Sequence, residues 1–289
     1  MNDSETKELS KKDYEVLEDL IEKIDPENKV FDETKALIKE VLDEKSNRDL
    51  NEEWKEPRKR FFLLWNNDDI IKWVIGMVRN KTISNILDYF IKGTYAGILI
   101  GIGGTVYLSV QNTVAGSFLF SIGLFTICMY QMNLYTGKVG YVLVNKAKYL
   151  IELLFSLIGN FAGTFIVGFL MRLTRQTAII ERATTIVNAK VSDNILSILI
   201  LSIFCGMLMY IAVNNYKVSK NEIGKYIGIF MCVMTFILCG FEHCVANMYY
   251  FFVSNVISLK VLLYLLIMVL GNSIGSIVIA YFFNTYYKD

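Results

Sequence analysis

Six apolar stretches dominate the chain after residue 92, at about 93–112, 115–145, 149–171, 192–213, 224–256 and 261–287. A membrane-spanning helix needs roughly 20 consecutive apolar residues, so each stretch is long enough to cross. Hydrocarbon offers no hydrogen-bond partner to a bare N–H or C=O, which leaves helices as the form for such segments. With six spans both termini lie on one side. Arg79, Lys81, Lys92, Lys146, Lys148, Lys217, Lys220, Lys225 and Lys288 then share that side. Arg172, Arg175, Arg182, Lys190 and Lys260 face the other. The excess of basic residues marks the first side as cytoplasmic, and the expected location is the plasma membrane.

Charge divides the chain into two regimes. Of 28 acidic and 29 basic residues, 19 and 13 fall within residues 1–60, so the near-zero net charge averages a polar segment with an apolar body. Residues 1–60 read as a polar cytoplasmic extension with two short amphipathic helices, near 11–24 and 32–50. Residues 61–92 form an interfacial lead-in, where the basic cluster Arg58, Lys59 and Arg60 precedes Phe61, Phe62 and Trp65. Such a basic-aromatic stretch suits a membrane surface. An amphipathic helix over 70–91 leads into the first span, and 93–289 is the six-helix domain. The first ten residues are polar and carry no apolar signal-peptide core. The five cysteines form no CxxC pair and no zinc-type spacing. No metal site or cofactor is expected, and nothing in the charge pattern calls for nucleic acid.

An internal repeat organises the apolar body. Span three carries Gly159-Asn160-Phe161-Ala162-Gly163-Thr164, and span six carries Gly271-Asn272-Ser273-Ile274-Gly275-Ser276. Small residues four apart let helices approach closely, so Gly159, Asn160, Gly163, Gly271, Asn272 and Gly275 are expected at helix-packing seams. Each motif closes a three-span half, near 93–172 and 192–287. An odd number of spans per half turns the second half upside down, which places a substrate path between inverted repeats. The second span of each half is over-long and interrupted by polar residues, at 131–138 and at 240–247. Irregular backbone at membrane depth persists only where protein buries it or where it lines a wet cavity.

His243, the single histidine, sits in the second break beside Glu242. An ionisable side chain within a span is costly, and function is the default explanation. Imidazole titrates near neutrality, so it suits lending a proton to a weak-acid anion. Glu242 is a candidate for orienting the ring or returning its proton, and Asn247 for hydrogen-bonding the loop. No nucleophile–base pair, metal cluster or phosphate loop is visible, so no enzyme activity is expected.

Residues 241–248 (Phe-Glu-His-Cys-Val-Ala-Asn-Met) resemble the "G-[FY]-E-H-x-x-A-N-M" signature of the formate/nitrite transporter family. Leu134-Tyr135-Thr136-Gly137 resembles that family's "E-L-F-T-G" loop, and Ala96-Gly97 with the two Gly-Asn motifs also fits, over residues 70–287. The resemblance implies an all-α, aquaporin-like fold of six transmembrane helices with broken second helices, assembling as a homo-pentamer with one pore per subunit. It further implies a channel for formate, nitrite, hydrosulfide or a similar small monovalent anion, with membrane lipid around it. By the same resemblance Leu124, Leu134 and Tyr135 form a cytoplasmic constriction, and Phe120 and Phe236 an extracellular one. Thr136 faces His243 between them, and Lys190 draws anions to the outer mouth. Two positions depart from the family pattern: Asn133 replaces the loop acid, and Gly206 stands where span four usually carries Asn. The competing readings are a neutral-solute pore, disfavoured by the lack of paired Asn-Pro-Ala motifs, and a membrane-anchored signalling protein acting through residues 1–60.

Overall fold

A computed structural model describes residues 81–287 of the chain, all of them within one compact unit, Trp73–Asp289. The expectations for residues 1–60, for the earlier part of the lead-in, and for Lys288 lie outside the described residues.

Every described element is helical. Helix α1 spans Lys81–Ser109, so the last turns of the expected lead-in and the first span form one uninterrupted helix. The second span begins as α2 (Thr113–Phe120) and α3 (Ile122–Met129), which meet at Ser121. After the break it resumes as the short α4 (Tyr135–Lys138) and a 3-10 turn at Val139–Val144. Helix α5 (Lys148–Arg172) closes the first half. The second half runs α7 (Ile195–Val218), α8 (Glu222–Leu238), a break, α9 (Cys244–Ser254) and α10 (Leu259–Tyr286). Four helices are long and apolar enough to cross a membrane whole: those ending at Ser109, Arg172, Val218 and Tyr286. The six-span expectation therefore resolves into four continuous spans and two interrupted ones.

Between the halves lies α6 (Thr177–Ser192), which the apolar stretches do not announce. Its buried residues Ile179, Ala183 and Val187 recur every fourth position and pack toward the core. That spacing places them on one helical stripe. Arg182 on α6 donates to the carbonyl of Leu108 in the last turn of α1 and to that of Val110 just beyond it, and lies over the Tyr107 ring. One terminal carbonyl of α1, which has no partner further along its own helix, is thereby satisfied.

The spans alternate in direction. We call the side where α1 begins and α10 ends the near face, and the side carrying α6 the far face. Leu150, Phe165 and Phe169 on α5, and Leu262 and Leu266 on α10, are exposed apolar side chains. Such an exterior suits lipid or a neighbouring subunit, not water.

Glycine sets the closeness of the outer spans within each half. A Cβ on Gly97 (α1) would overlap the backbone of Asn160, and one on Gly163 (α5) the carbonyl of Thr94. The second half repeats this: a Cβ on Gly206 would strike the backbone of Asn272, and one on Gly275 the carbonyl of Ile203. Gly97 and Gly206 are thus equivalents across the pseudo-symmetry. Gly206 sits where this helix spacing admits no side chain. Replacing Gly206 by Val is expected to force α7 and α10 apart. Overpacking costs about 1–3 kcal/mol in ordinary cores and more against backbone. A lowered thermal midpoint in detergent would register this, while Gly224→Ala, whose Cβ meets Asn221 only at 3.5 Å, should leave the midpoint unchanged.

Candidate functional site

The two breaks are built on one plan. Gln131 and Gly240 each take a positive φ, 53° and 67°, which turns the chain out of its helix. Just beyond, Met132 N–H donates to Ile127 O at 2.9 Å, and Phe241 N–H to Phe236 O at 2.8 Å. The next residues reach across to the first span of their own half: Asn133 N–H to Lys92 O at 3.4 Å, and Glu242 N–H to Leu201 O at 3.3 Å.

One asparagine then clamps each break. Asn160 Oδ1 accepts from Tyr135 N–H at 2.9 Å, while its Nδ2 donates to Gly93 O and Asn133 O at 2.8 and 2.9 Å. Asn272 Oδ1 accepts from Cys244 N–H at 2.9 Å, and its Nδ2 donates to Ser202 O and Glu242 O, both at 2.8 Å. Each side chain supplies one acceptor and two donors, which a carboxamide alone among small side chains can offer. The glycines of the two repeat motifs lie against the backbone of the neighbouring span or, for Gly271, the Ser202 side chain. The asparagines between them do something the motif did not reveal: they satisfy the backbone that the breaks leave open.

The plan places Leu134 and His243 at equivalent positions, the last residue before each helix resumes. His243 N-caps α9, with Nδ1 accepting from Ala246 N–H at 3.0 Å. Its Nε2 lies 2.9 Å from Thr136 Oγ1. Because Nδ1 is an acceptor, the ring's proton sits on Nε2 and is donated to the threonine hydroxyl, whose own proton is then directed elsewhere. His243 and Thr136, from opposite halves, thus meet inside the bundle, both buried. Phe236 stacks on the histidine ring at 5.5 Å and 25°, and Phe120 meets Phe236 edge-on at 5.9 Å. Toward the near face Leu124 and Leu134 are each 1% exposed. Tyr135 points its hydroxyl at Ser273 Oγ, 2.9 Å away.

Glu242 does not touch the imidazole. Its Oε2 accepts from Lys190 Nζ at 2.5 Å and from Asn247 Nδ2 at 2.8 Å. Asn247 Nδ2 also donates to the His243 carbonyl at 3.0 Å, and its Oδ1 has no partner among the described residues. The Lys190 and Glu242 side chains are 16% and 4% exposed, so Lys190's ammonium is engaged with a buried carboxylate instead of standing free at a mouth. At the equivalent place in the first break, Lys138 Nζ donates to Asn133 Oδ1. Sequence reading passed over Lys138, because nothing in the pattern ties its ammonium to the amide five residues earlier.

On the near face a cavity of about 530 Å³ opens above the first break, with Leu134 and Ile127 among its lining residues. No group of His, Cys, Asp and Glu suited to a metal ion occurs among the described residues.

The family model described as "Formate/nitrite transporter" matches residues 68–287. The chain belongs to the formate/nitrite transporter family. Membership makes it a multi-pass membrane transport protein of the formate/nitrite anion-channel type and not an enzyme. Among its relatives, the "Uncharacterized transporter YrhG" of Bacillus subtilis (strain 168) is 27% identical over 149 residues, covering 48% of this chain and 56% of that protein. The chain thus aligns with little more than half of that relative's length. The "Formate-nitrite transporter" of Plasmodium falciparum (isolate 3D7) is 25% identical over 243 residues, covering 70% of this chain and 79% of that one. Of solved structures, a "Pentameric formate channel with formate bound" superposes with a TM-score of 0.62 at 23% identity. It covers 70% of this chain and 98% of its own. That likeness establishes the aquaporin-like fold of the formate/nitrite transporters.

Two substitutions test the supports of the site. Asn272→Ala orphans the Cys244 N–H and the Glu242 carbonyl, each a loss of about 1–3 kcal/mol when buried, and removes the second bond to the Ser202 carbonyl. It should lower the thermal midpoint sharply, more than any exposed substitution on α10. Lys190→Gln leaves Glu242 a buried unpaired charge, a defect worth about 3–5 kcal/mol. Adding Glu242→Gln to that variant should recover most of the loss, since the amide pair carries no charge to desolvate.

Proposed function

We propose that the chain conducts small monovalent weak-acid anions, such as formate, nitrite or hydrosulfide, through a pore within each subunit, with proton linkage at His243. The observation that carries this reading is the His243–Thr136 pair at 2.9 Å. It joins the two breaks and lies between buried apolar residues on both sides. An unpaired anion in such a dry passage faces a desolvation penalty on the order of tens of kcal/mol. Its conjugate acid pays far less, so crossing Leu124 and Leu134, or Phe120 and Phe236, is a step for the neutral species.

Between those constrictions the anion is held by hydrogen bonds. The Thr136 hydroxyl, relieved of donating to the ring, turns its proton to the solute, and the ring N–H is the second donor within reach. Full protonation of the ring would require a proton on Nδ1, which already accepts from Ala246 N–H. It would also place a cation at the N-terminal end of α9, where the helix dipole opposes it. Proton lending by His243 therefore goes together with opening of its cap, whereas hydrogen-bond donation needs no rearrangement. Lys190 and Asn247 hold the Glu242 side chain in place, so that it braces the second break without entering the path.

The excess of Lys and Arg on the near face supports a cytoplasmic near face with both termini inside, in the plasma membrane. The exposed apolar residues of the outer spans support assembly with lipid and with further copies, and a homo-pentamer is the arrangement named for the superposable formate channel.

The test uses purified protein in liposomes loaded with a pH-sensitive dye, given formate, nitrite and hydrosulfide in turn. Asn at position 243 retains an acceptor for the Ala246 N–H, so His243→Asn keeps the helix cap and removes the ring donor. At least a tenfold loss of anion-driven proton uptake is expected in that variant, with the thermal midpoint little changed. Unchanged uptake would reduce His243 to a structural cap, and no flux of any of the three anions by the parent protein would overturn the channel reading.

A further inference from the structure

The near-face cavity carries a charge surplus that conduction of monovalent anions does not require. Lys92, Lys138, Lys217 and Lys225 line it, with Asp88 as the single acidic residue of the lining. Two of the four ammonium groups are matched: Lys92 pairs with Asp88 at 2.9 Å and Lys225 with Glu222 at 2.7 Å. The other two have no carboxylate partner among the described residues. Lys138 gives one N–H to the neutral amide of Asn133 and lies 5.4 Å from the centre of the Tyr89 ring. Lys217 rests 3.9 Å from the centre of the Tyr141 ring. An ammonium has three donors, so both lysines retain N–H groups after these contacts. On the far side the equivalent cation, Lys190, is neutralised by Glu242. Among the described residues, Lys138 and Lys217 are therefore the two lysines of this vestibule that no carboxylate matches.

We propose that this vestibule is a binding site for a small dicarboxylate, one carboxylate for Lys138 and one for Lys217, and that its occupant blocks the pore. The blocking half of the inference rests on the channel reading given above; the binding half does not. A cavity of about 530 Å³ holds a four-carbon diacid with room for water. Beneath it Leu134 is buried and apolar, so a dianion that enters has to shed two charges to go further. A monoanion needs to shed one. The same vestibule thus admits both classes and passes only the singly charged one. Lys138 is the hinge of this arrangement, because its amide partner Asn133 belongs to the break itself. Recruiting the ammonium to a carboxylate weakens its hold on the loop beside the constriction.

The experiment compares succinate with butyrate, which share a chain length and differ by one charge. Binding to the full-length protein in detergent at low ionic strength is measured by calorimetry. Succinate is expected to bind at least tenfold more tightly than butyrate. The gap should narrow severalfold in Lys138→Gln and in Lys217→Gln, and persist in Lys260→Gln, which changes a far-face lysine. Equal affinities for the two acids, or a gap untouched by both near-face variants, would overturn the site; Lys217→Gln keeps the test valid should Lys138→Gln disturb folding. In liposomes, succinate present on both sides should reduce formate flux of the parent protein at least fivefold and that of Lys217→Gln much less. Flux insensitive to bound succinate, or uptake of labelled succinate itself, would overturn the block. A parent protein that binds succinate but moves no formate at all would refute the channel reading and leave the binding site standing.

Discussion

A helix interrupted inside a membrane exposes peptide groups with nowhere to send their hydrogen bonds, and everything at the centre of this protein follows from how that is met. Asn160 and Asn272 each bind three backbone groups, one on the strand of chain leaving the break, one within it, and one on the neighbouring span. Gly97 and Gly206 allow this by bringing the spans into backbone contact, which puts each carboxamide within reach. The glycines and asparagines of the repeat therefore act together: close approach without the amide would leave open peptides, and the amide without close approach would not reach them.

On this shared scaffold the two halves carry different chemistry at matched positions. Leu134 answers to His243, Asn133 to Glu242, and Lys138 to Asn247. In the first half the pairing is cation to amide, and in the second it is carboxylate to amide with Lys190 completing the neutralisation. One break thus presents an apolar edge beneath a positively charged vestibule, and the other a polar ring held at its helix terminus. The pseudo-symmetry supplies the geometry, and the departures from it supply direction. On the proposed path, a solute entering from the near face meets the vestibule lysines, then the buried leucines, then two hydrogen-bond donors. From the far face the proposed path meets two phenyl rings before the same donors, with the Lys190–Glu242 ion pair bracing the break beside it.

The histidine's position also constrains how it takes part. Because one ring nitrogen caps α9, the other is aimed at Thr136 by the helix itself and not by a carboxylate. Orientation of the donor is thereby coupled to the integrity of the second break. Any solute or pH change that charges the ring acts on the helix terminus as well as on the pore.

The amino-acid pattern alone was enough for the class of molecule. Long apolar stretches, two polar interruptions, a duplicated Gly-Asn motif and a lone intramembrane histidine each report a local requirement, and local requirements leave local marks. Helix α6 left a weaker mark, three apolar residues at four-residue spacing in a polar segment, which hydropathy does not register. What only the tertiary structure decided is which groups meet. Lys190 lies 52 positions from Glu242 and Thr136 lies 107 from His243, separations at which composition and spacing carry no pairing signal. Glu242 is adjacent to His243 in the chain, yet bonds a lysine on another helix, because successive residues of an extended break point in opposite directions. The surplus charge of the near-face vestibule is likewise a property of the fold: Lys92, Lys138, Lys217 and Lys225 come from separate elements. Lys92 and Lys225 are matched within their own helices, by Asp88 four residues away and Glu222 three away, whereas only the packing brings Lys138 and Lys217 to the same cavity.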